Sequence, residues 1–250
     1  MLGVVLALFA ANLTIHLDAL GVIAAGSARR ASFVAIDVVL LMIVVVAGRI
    51  FPMFTRNATQ VATIRSIPQL DVAAAVGMVG VALLDAIAAD ASLIGAACAA
   101  VAVVAAARAY HWGARHTARH PLLWVLHAGY AWLVFGMLLR ATATWSSAVP
   151  AAAATHALTV GAIGTLTLGM MARVALGHTG RALVAPPAVG WAFVAINLAA
   201  ALRVAVPILA PGAYLTGLMV SGGLWAAAFG IYLVAYAPIL SAPRVDGKAG

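Results

Sequence analysis

Eight long apolar runs follow one another along this chain, separated only by short punctuation, and no other feature restricts the possible folds so severely. The windows fall near residues 2–25, 32–48, 70–89, 92–109, 122–143, 153–176, 187–209 and 213–236. A helix that spans a bilayer needs roughly 20 mainly apolar residues. Backbone polar groups in lipid must be satisfied internally, so only helices or a closed barrel can cross. Barrel strands alternate polar and apolar residues over about 10 positions, whereas these runs are unbroken and rich in Ala, Leu and Val. The expected fold class is all-α, a polytopic transmembrane helix bundle of about eight helices in a single transmembrane domain over residues 1–250.

Composition closes the soluble alternative. Of 250 residues, 66% are hydrophobic and 8% charged, and the mean hydropathy is +1.12. A water-soluble domain of this length retains too much surface to hide that apolar content. The first run lacks a basic leading region and a small-residue exit, so it is expected to be a retained helix rather than a cleaved signal. The net charge of +8 comes from thirteen Arg and one Lys against six Asp and no Glu. In a soluble chain that balance would suggest nucleic acid. Here the arginines sit at helix ends and in short loops with no interleaved aromatic strip, so nucleic acid is rejected and the lipid bilayer is the expected partner.

The basic residues also set an orientation. Arg49, Arg56 and Arg65, then Arg115 and Arg119, then Arg181, then Arg244 and Lys248 all fall on the side of the N-terminus. The positive-inside rule then makes both termini cytoplasmic. Arg29-Arg30 is the one violation. Cys98, the single cysteine, is read as a small packed hydrophobe.

Ionisable residues inside a membrane are costly and mark functional candidates. The stronger ones are His16, Asp18, Asp37, His127, Arg140, His156 and Arg203. Helix rise sorts the histidines by depth, at about 1.5 Å per residue. His16 and His156 form an outer pair, and His127 and His178 an inner pair. Two imidazoles from different helices at one level suit a haem iron. In the fifth window Trp124, His127 and Tyr130 are expected to share a side. In the sixth, His156, Thr159, Ile163, Thr167 and Met170 are expected to form one stripe, and Gly161, Gly164, Gly169 and Ala172 to permit close backbone approach. Asn12 lies one turn below His16, in reach of its ring. A lone His in a membrane helix also serves as a plain inter-helix hydrogen-bond partner, and that reading stands beside the ligand one for His16.

His111, His116 and His120 fall in an arginine-rich segment and are read as a solvated basic loop. Two further stretches look specific and are expected as loops, Gly48 to Asn57 and Arg173 to Arg181. Their arginines offer rigid donor forks for acidic cofactor groups such as haem propionates. There is no phosphate-binding glycine loop, Ser-His-Asp order, CxxCH or CxxC, so no reaction is named. With Glu absent, intramembrane acid–base chemistry falls to His or Asp.

These residues together resemble the NnrS family of bacterial membrane proteins. The resemblance rests on Gly48 to Asn57, Pro121 to Trp132, His156 to Thr165 and Leu176 to Arg181, with Asn12 to His16 and Tyr236 to Asp246 in support. It implies a haem-containing protein (b-type), with copper as a further metal, in the inner (cytoplasmic) membrane and tied to nitric oxide response and nitrosative stress. Carried onto this chain, His16, His127, His156 and His178 are the expected metal ligands, and Arg49, Tyr130, Arg173 and Arg181 the expected cofactor contacts. Family members usually have about twelve passes, so a partner chain supplying further N-terminal helices is an expectation as well. The residues alone leave a second reading open, a transporter or metal-handling permease holding cargo on intramembrane His and Asp. Inverted repeats and broken helices would favour it, and the sequence displays neither.

Overall fold

The computed structural model describes residues 2–247. Eight helices in it are long and apolar enough to cross a membrane: α1 (Leu2–Ala19), α2 (Ser27–Thr59), α3 (Pro68–Ala86), α4 (Ala91–Tyr110), α5 (Pro121–Trp145), α6 (Ala151–His178), α7 (Pro187–Leu209) and α8 (Pro211–Ser241). No strand occurs among the described residues. The protein is a multi-pass membrane protein.

Local chemistry explains the breaks. Asp90 separates α3 from α4 as an N-cap, its Oδ1 accepting from the Ser92 and Leu93 amides at 2.9 and 3.4 Å. This satisfies donors that the first helical turn leaves bare. Proline opens α3, α5 and α7 at the first turn, where its missing N–H costs nothing. Pro52, by contrast, lies inside α2. The expected loop from Gly48 to Asn57 is therefore the end of a helix of 33 residues. At about 1.5 Å per residue that helix is longer than a hydrocarbon core of roughly 30 Å, so its last turns have room to run past the apolar layer. Arg173 to His178 likewise belongs to α6, and only the residues after it form a loop.

The chain runs up and down, so α2, α4, α6 and α8 end where α1, α3, α5 and α7 begin. That end carries Arg65, Arg115, Arg119, Arg181 and Arg244 and is called the basic end; Arg29 and Arg30 lie at the far end. Helix α5 sits at the centre, between α4, α2, α6 and α7, while α8 lies against α7 and α1 against α2. The main core joins Leu40, Val44 and Phe51 of α2 to Met78, Leu126, Leu133 and Phe193.

Close packing of α5 on α6 depends on bare backbones. A Cβ on Gly136 would lie 2.6 Å from Leu158 Cδ2 and 3.2 Å from the Leu158 amide nitrogen, and one on Gly161 would meet the Trp132 ring at 2.7 Å. The middle of α6, Ala157–Gly164, is wound as a π-helix. Its i→i+5 bonding adds about one residue per turn and shifts the helical phase. The expected stripe from His156 to Met170 does not survive that shift, since Thr167 is exposed while His156, Thr159 and Ile163 are half-buried.

Gly136→Ala is expected to lower thermal stability in detergent by about 1–3 kcal/mol through overpacking. Gly190→Ala, whose Cβ would meet nothing within 4 Å, should leave the melting curve in place. Fluorescence-detected size-exclusion after heating reads both.

Candidate functional site

Two polar clusters interrupt the apolar interior, one near each end. The cluster at the basic end is built on α2, α3, α4 and α5. His127 lies six residues into α5, about 9 Å from its start. Its Nε2 is 2.9 Å from Thr55 Oγ1 on α2. The Thr55 hydroxyl donates its single proton to the Phe51 carbonyl at 2.8 Å. Nε2–H must then be the donor to Thr55, and in the uncharged ring Nδ1 keeps a free lone pair. The ring meets Phe51 edge-on at 6.0 Å. Phe51 also meets Trp112 at 5.6 Å and Tyr130 at 6.2 Å, and Trp112 and Tyr130 lie 4.6 Å apart.

Beside these rings Arg108 of α4 is buried at 1% exposure. Its Nη2 donates to the Val44 carbonyl at 3.0 Å and pairs with Asp71 Oδ1 at 2.7 Å, while Ser66 donates a short bond to Asp71 Oδ2. The guanidinium lies 4.9 Å from the Trp112 ring and 5.8 Å from the Tyr130 ring, distances that suit cation–π attraction. Gly48 makes this possible: a Cβ there would overlap Arg108 Nη2. The Gly48-Arg49 pair therefore matters first for its glycine, because Arg49 itself is exposed.

Next to this cluster a cavity of about 520 Å³ opens at the basic end, lined among others by Phe54, Asn57, Arg119, His120, Leu123 and Arg173. Arg173 is buried, with its guanidinium 3.9 Å from the centre of the Phe54 ring. Leu123 precedes His127 by one helical turn and Phe54 adjoins Thr55, so the cavity sits against the walls of the His127 site.

The other expected site residues lie apart. His16 and Asn12 are both exposed on α1, and no hydrogen bond joins them among those described. His156 is half-buried at the start of the π segment and close enough to Arg203 for their charges to interact. His178 is exposed at the end of α6; its carbonyl accepts from Arg244 Nη1 at 2.8 Å. Arg181 donates to the Ile239 carbonyl at 3.4 Å. His178, Thr179 and Gly180 thus dock on the C-terminal stretch, with Val245 N–H donating to Thr179 O at 3.2 Å and Gly180 facing the Asp246 carboxyl. Neither depth pair of histidines is brought together by a contact between its rings. Trp124 does not share the side of His127 and Tyr130, because it meets Phe193 of α7. Successive steps of three residues drift around a helix by about 60°. Among the described residues no group of three or more His, Cys, Asp or Glu is placed to hold a metal.

The second cluster lies toward the far end. Arg140 of α5 donates through Nη1 to Asp37 Oδ1 at 2.8 Å and through Nη2 to Asp85 Oδ2 in a short bond. Its guanidinium lies 5.0 Å from the Phe33 ring. Arg108, Trp112 and Asp85 were not singled out by the sequence as a site. Arg108 and Asp85 fall inside apolar windows and offered a signal by charge alone; Trp112 offered none, lying in a segment that reads as a solvated loop.

A family model described as NnrS protein matches residues 1–244. No curated protein and no solved structure matches the chain.

Removing one partner from a buried ion pair costs about 3–5 kcal/mol, because an uncompensated charge remains. Arg140→Met is accordingly expected to abolish most folded, monodisperse protein in a membrane expression assay. Adding Asp37→Asn and Asp85→Asn to that variant should restore much of the yield. Equal yields of Arg140→Met and wild type would contradict the clamp.

Proposed function

The chain belongs to the NnrS family, and from that premise we propose that it is a haem-binding protein of the bacterial inner membrane serving the nitric oxide response. The observation that carries the proposal is the state of His127. A metal-bound imidazole typically donates its second ring N–H to a fixed oxygen, which sets its tautomer and aim. Thr55 supplies that oxygen and has no proton left to offer in return, so the Nδ1 lone pair remains as the ligand atom.

The neighbouring residues fit the rest of such a group. Arg173 lies over the Phe54 ring, and Arg119 lines the same cavity of about 520 Å³. Both guanidiniums suit the carboxylates of haem propionates, and Leu122, Leu123 and Leu183 give the cavity an apolar wall. When bound, haem supplies an iron at which nitric oxide coordinates. Tyr130, Phe51 and Trp112 keep water from the buried side of His127. The proposal is kept to haem at His127; His16, His156 and His178 are each too isolated to be assigned a shared copper site. The basic end is taken to face the cytoplasm, by the positive-inside rule.

The permease reading has one observation of its own, the buried charged cluster around Arg140, since ionisable residues inside a membrane mark substrate and ion pathways. The two readings separate in one experiment. Protein purified in detergent after haem supplementation should show a Soret band and stoichiometric iron. His127→Ala should lose both, and Thr55→Val should weaken haem retention roughly 10–100-fold. Arg173→Leu should release haem faster, and His178→Ala should retain it. A wild-type preparation with neither Soret absorbance nor iron would overturn the proposal, and solute uptake by vesicles of that haem-free protein would favour the permease.

A further inference from the structure

Charge counting at the Arg140 cluster leads to a second site. Asp37 is 0% exposed, Asp85 7% and Arg140 9%. With all three ionised the cluster would carry one uncompensated negative charge in an interior where charge is costly. A second deficit coincides with the first. Asp37 Oδ2 is enclosed and no protein donor reaches it. Asp37 and Asp85 hold the two terminal nitrogens of one guanidinium, Nη1 and Nη2, which brings the carboxyls side by side, but an ionised carboxylate is acceptor-only and has no hydrogen to give. A single proton shared by the two carboxyls removes both deficits at once: the net charge becomes zero and the orphaned oxygen gains a donor.

The surroundings favour a proton over a metal cation. Asp85 and Arg140 line a cavity of about 490 Å³ whose other walls include Arg29, Arg30, Thr144 and Thr155. Arg29 and Arg30 are exposed at the start of α2, so a cation entering from the far end meets two guanidiniums and then a third. A proton relayed through water needs no such approach by an ion. The buried thiol of Cys98 on α4 also stands near the pair, and two carboxylates lie at the far end, Asp90 between the lining residues Ala89 and Ala91 and Asp18 accepting from the Ala28 amide beside Arg29. From α2 itself come Asp37, Arg29 and Arg30, from α3 Asp85, and from α5 Arg140.

We propose that Asp37 and Asp85 form a proton-binding carboxyl pair, clamped by Arg140 and reached from the far end through this cavity. Loading takes one proton from water and places it on a carboxylate oxygen of the pair; release returns it to water, with no other bond changed. The site stands whether or not haem binds at His127.

Infrared spectroscopy of the full chain in lipid tests it. The sequence holds six acidic side chains, all Asp, so ¹³C-aspartate labelling identifies any side-chain carboxyl band. A protonated-carboxyl C=O band is expected at neutral pH, shifted by the label and by transfer to D₂O. Asp37→Asn and Asp85→Asn should each abolish it, because either leaves one carboxylate opposite one guanidinium. No such band in wild type, a band indifferent to D₂O, or a band that persists in both variants would overturn the proposal. Erasure of the wild-type band by sodium but not potassium would reassign the site to a metal cation. Should the single variants fail to fold, the charge-balanced variant carrying Arg140→Met, Asp37→Asn and Asp85→Asn should lack the band, and a band that persists in it would overturn the proposal.

Discussion

Two buried guanidiniums tie this bundle together, and the arrangement of α2, α3, α4 and α5 follows from them. Between helices in lipid there is no hydrophobic gain, since acyl chains are as apolar as Leu, so polar ties and close packing decide which helices meet. Arg108 reaches from α4 to the Val44 carbonyl of α2 and to Asp71 of α3. Arg140 reaches from α5 to Asp37 of α2 and Asp85 of α3. Both ties land on the same two helices, at different depths. A shift of α2 along its axis would strip both arginines of partners together, which fixes its register against α3, α4 and α5.

The two clusters differ in what they leave unsatisfied. At the basic end the spare capacity includes a lone pair, on His127 Nδ1, because Thr55 has already committed its proton to Phe51, beside the unpartnered buried donors Arg108 Nη1, Trp112 Nε1 and Tyr130 Oη. Toward the far end the spare capacity is an acceptor, Asp37 Oδ2, because two acids face one base. The first suits an electron-pair acceptor such as iron and the second suits a proton.

The stretches on which the family resemblance rests divide by role in the same way. Gly48 clears space for Arg108, and Gly161 clears space for Trp132, whose Nε1–H donates to Asn197 Oδ1 at 2.9 Å. Leu176 to Arg181 and the C-terminal stretch come together as one structural latch: Arg244 grips Asp246 with bonds of 2.9 and 2.6 Å and reaches the His178 carbonyl. His127 alone among the four expected ligands has its second nitrogen fixed by a partner. Arg29-Arg30, which breaks the charge bias of the loops, rims the cavity over the Arg140 cluster.

By itself the sequence determined the membrane, the helical class and the number of crossings, because those depend only on run length and on the backbone's need for internal hydrogen bonds in lipid. It also singled out His127, Arg173, Asp37 and Arg140, since charge or imidazole in an apolar run is costly wherever it falls. It could not find the end of α2, where Pro52 reads as a breaker yet sits within the helix. Nor could it follow the face of α6 through the π segment, because phase is lost when bonding changes from i→i+4 to i→i+5. Which charges are neighbours was decided only by tertiary structure. Asp37, Asp85 and Arg140 are 103 and 55 positions apart in their two pairings, and no local rule connects residues on separate helices until packing brings them to the same depth.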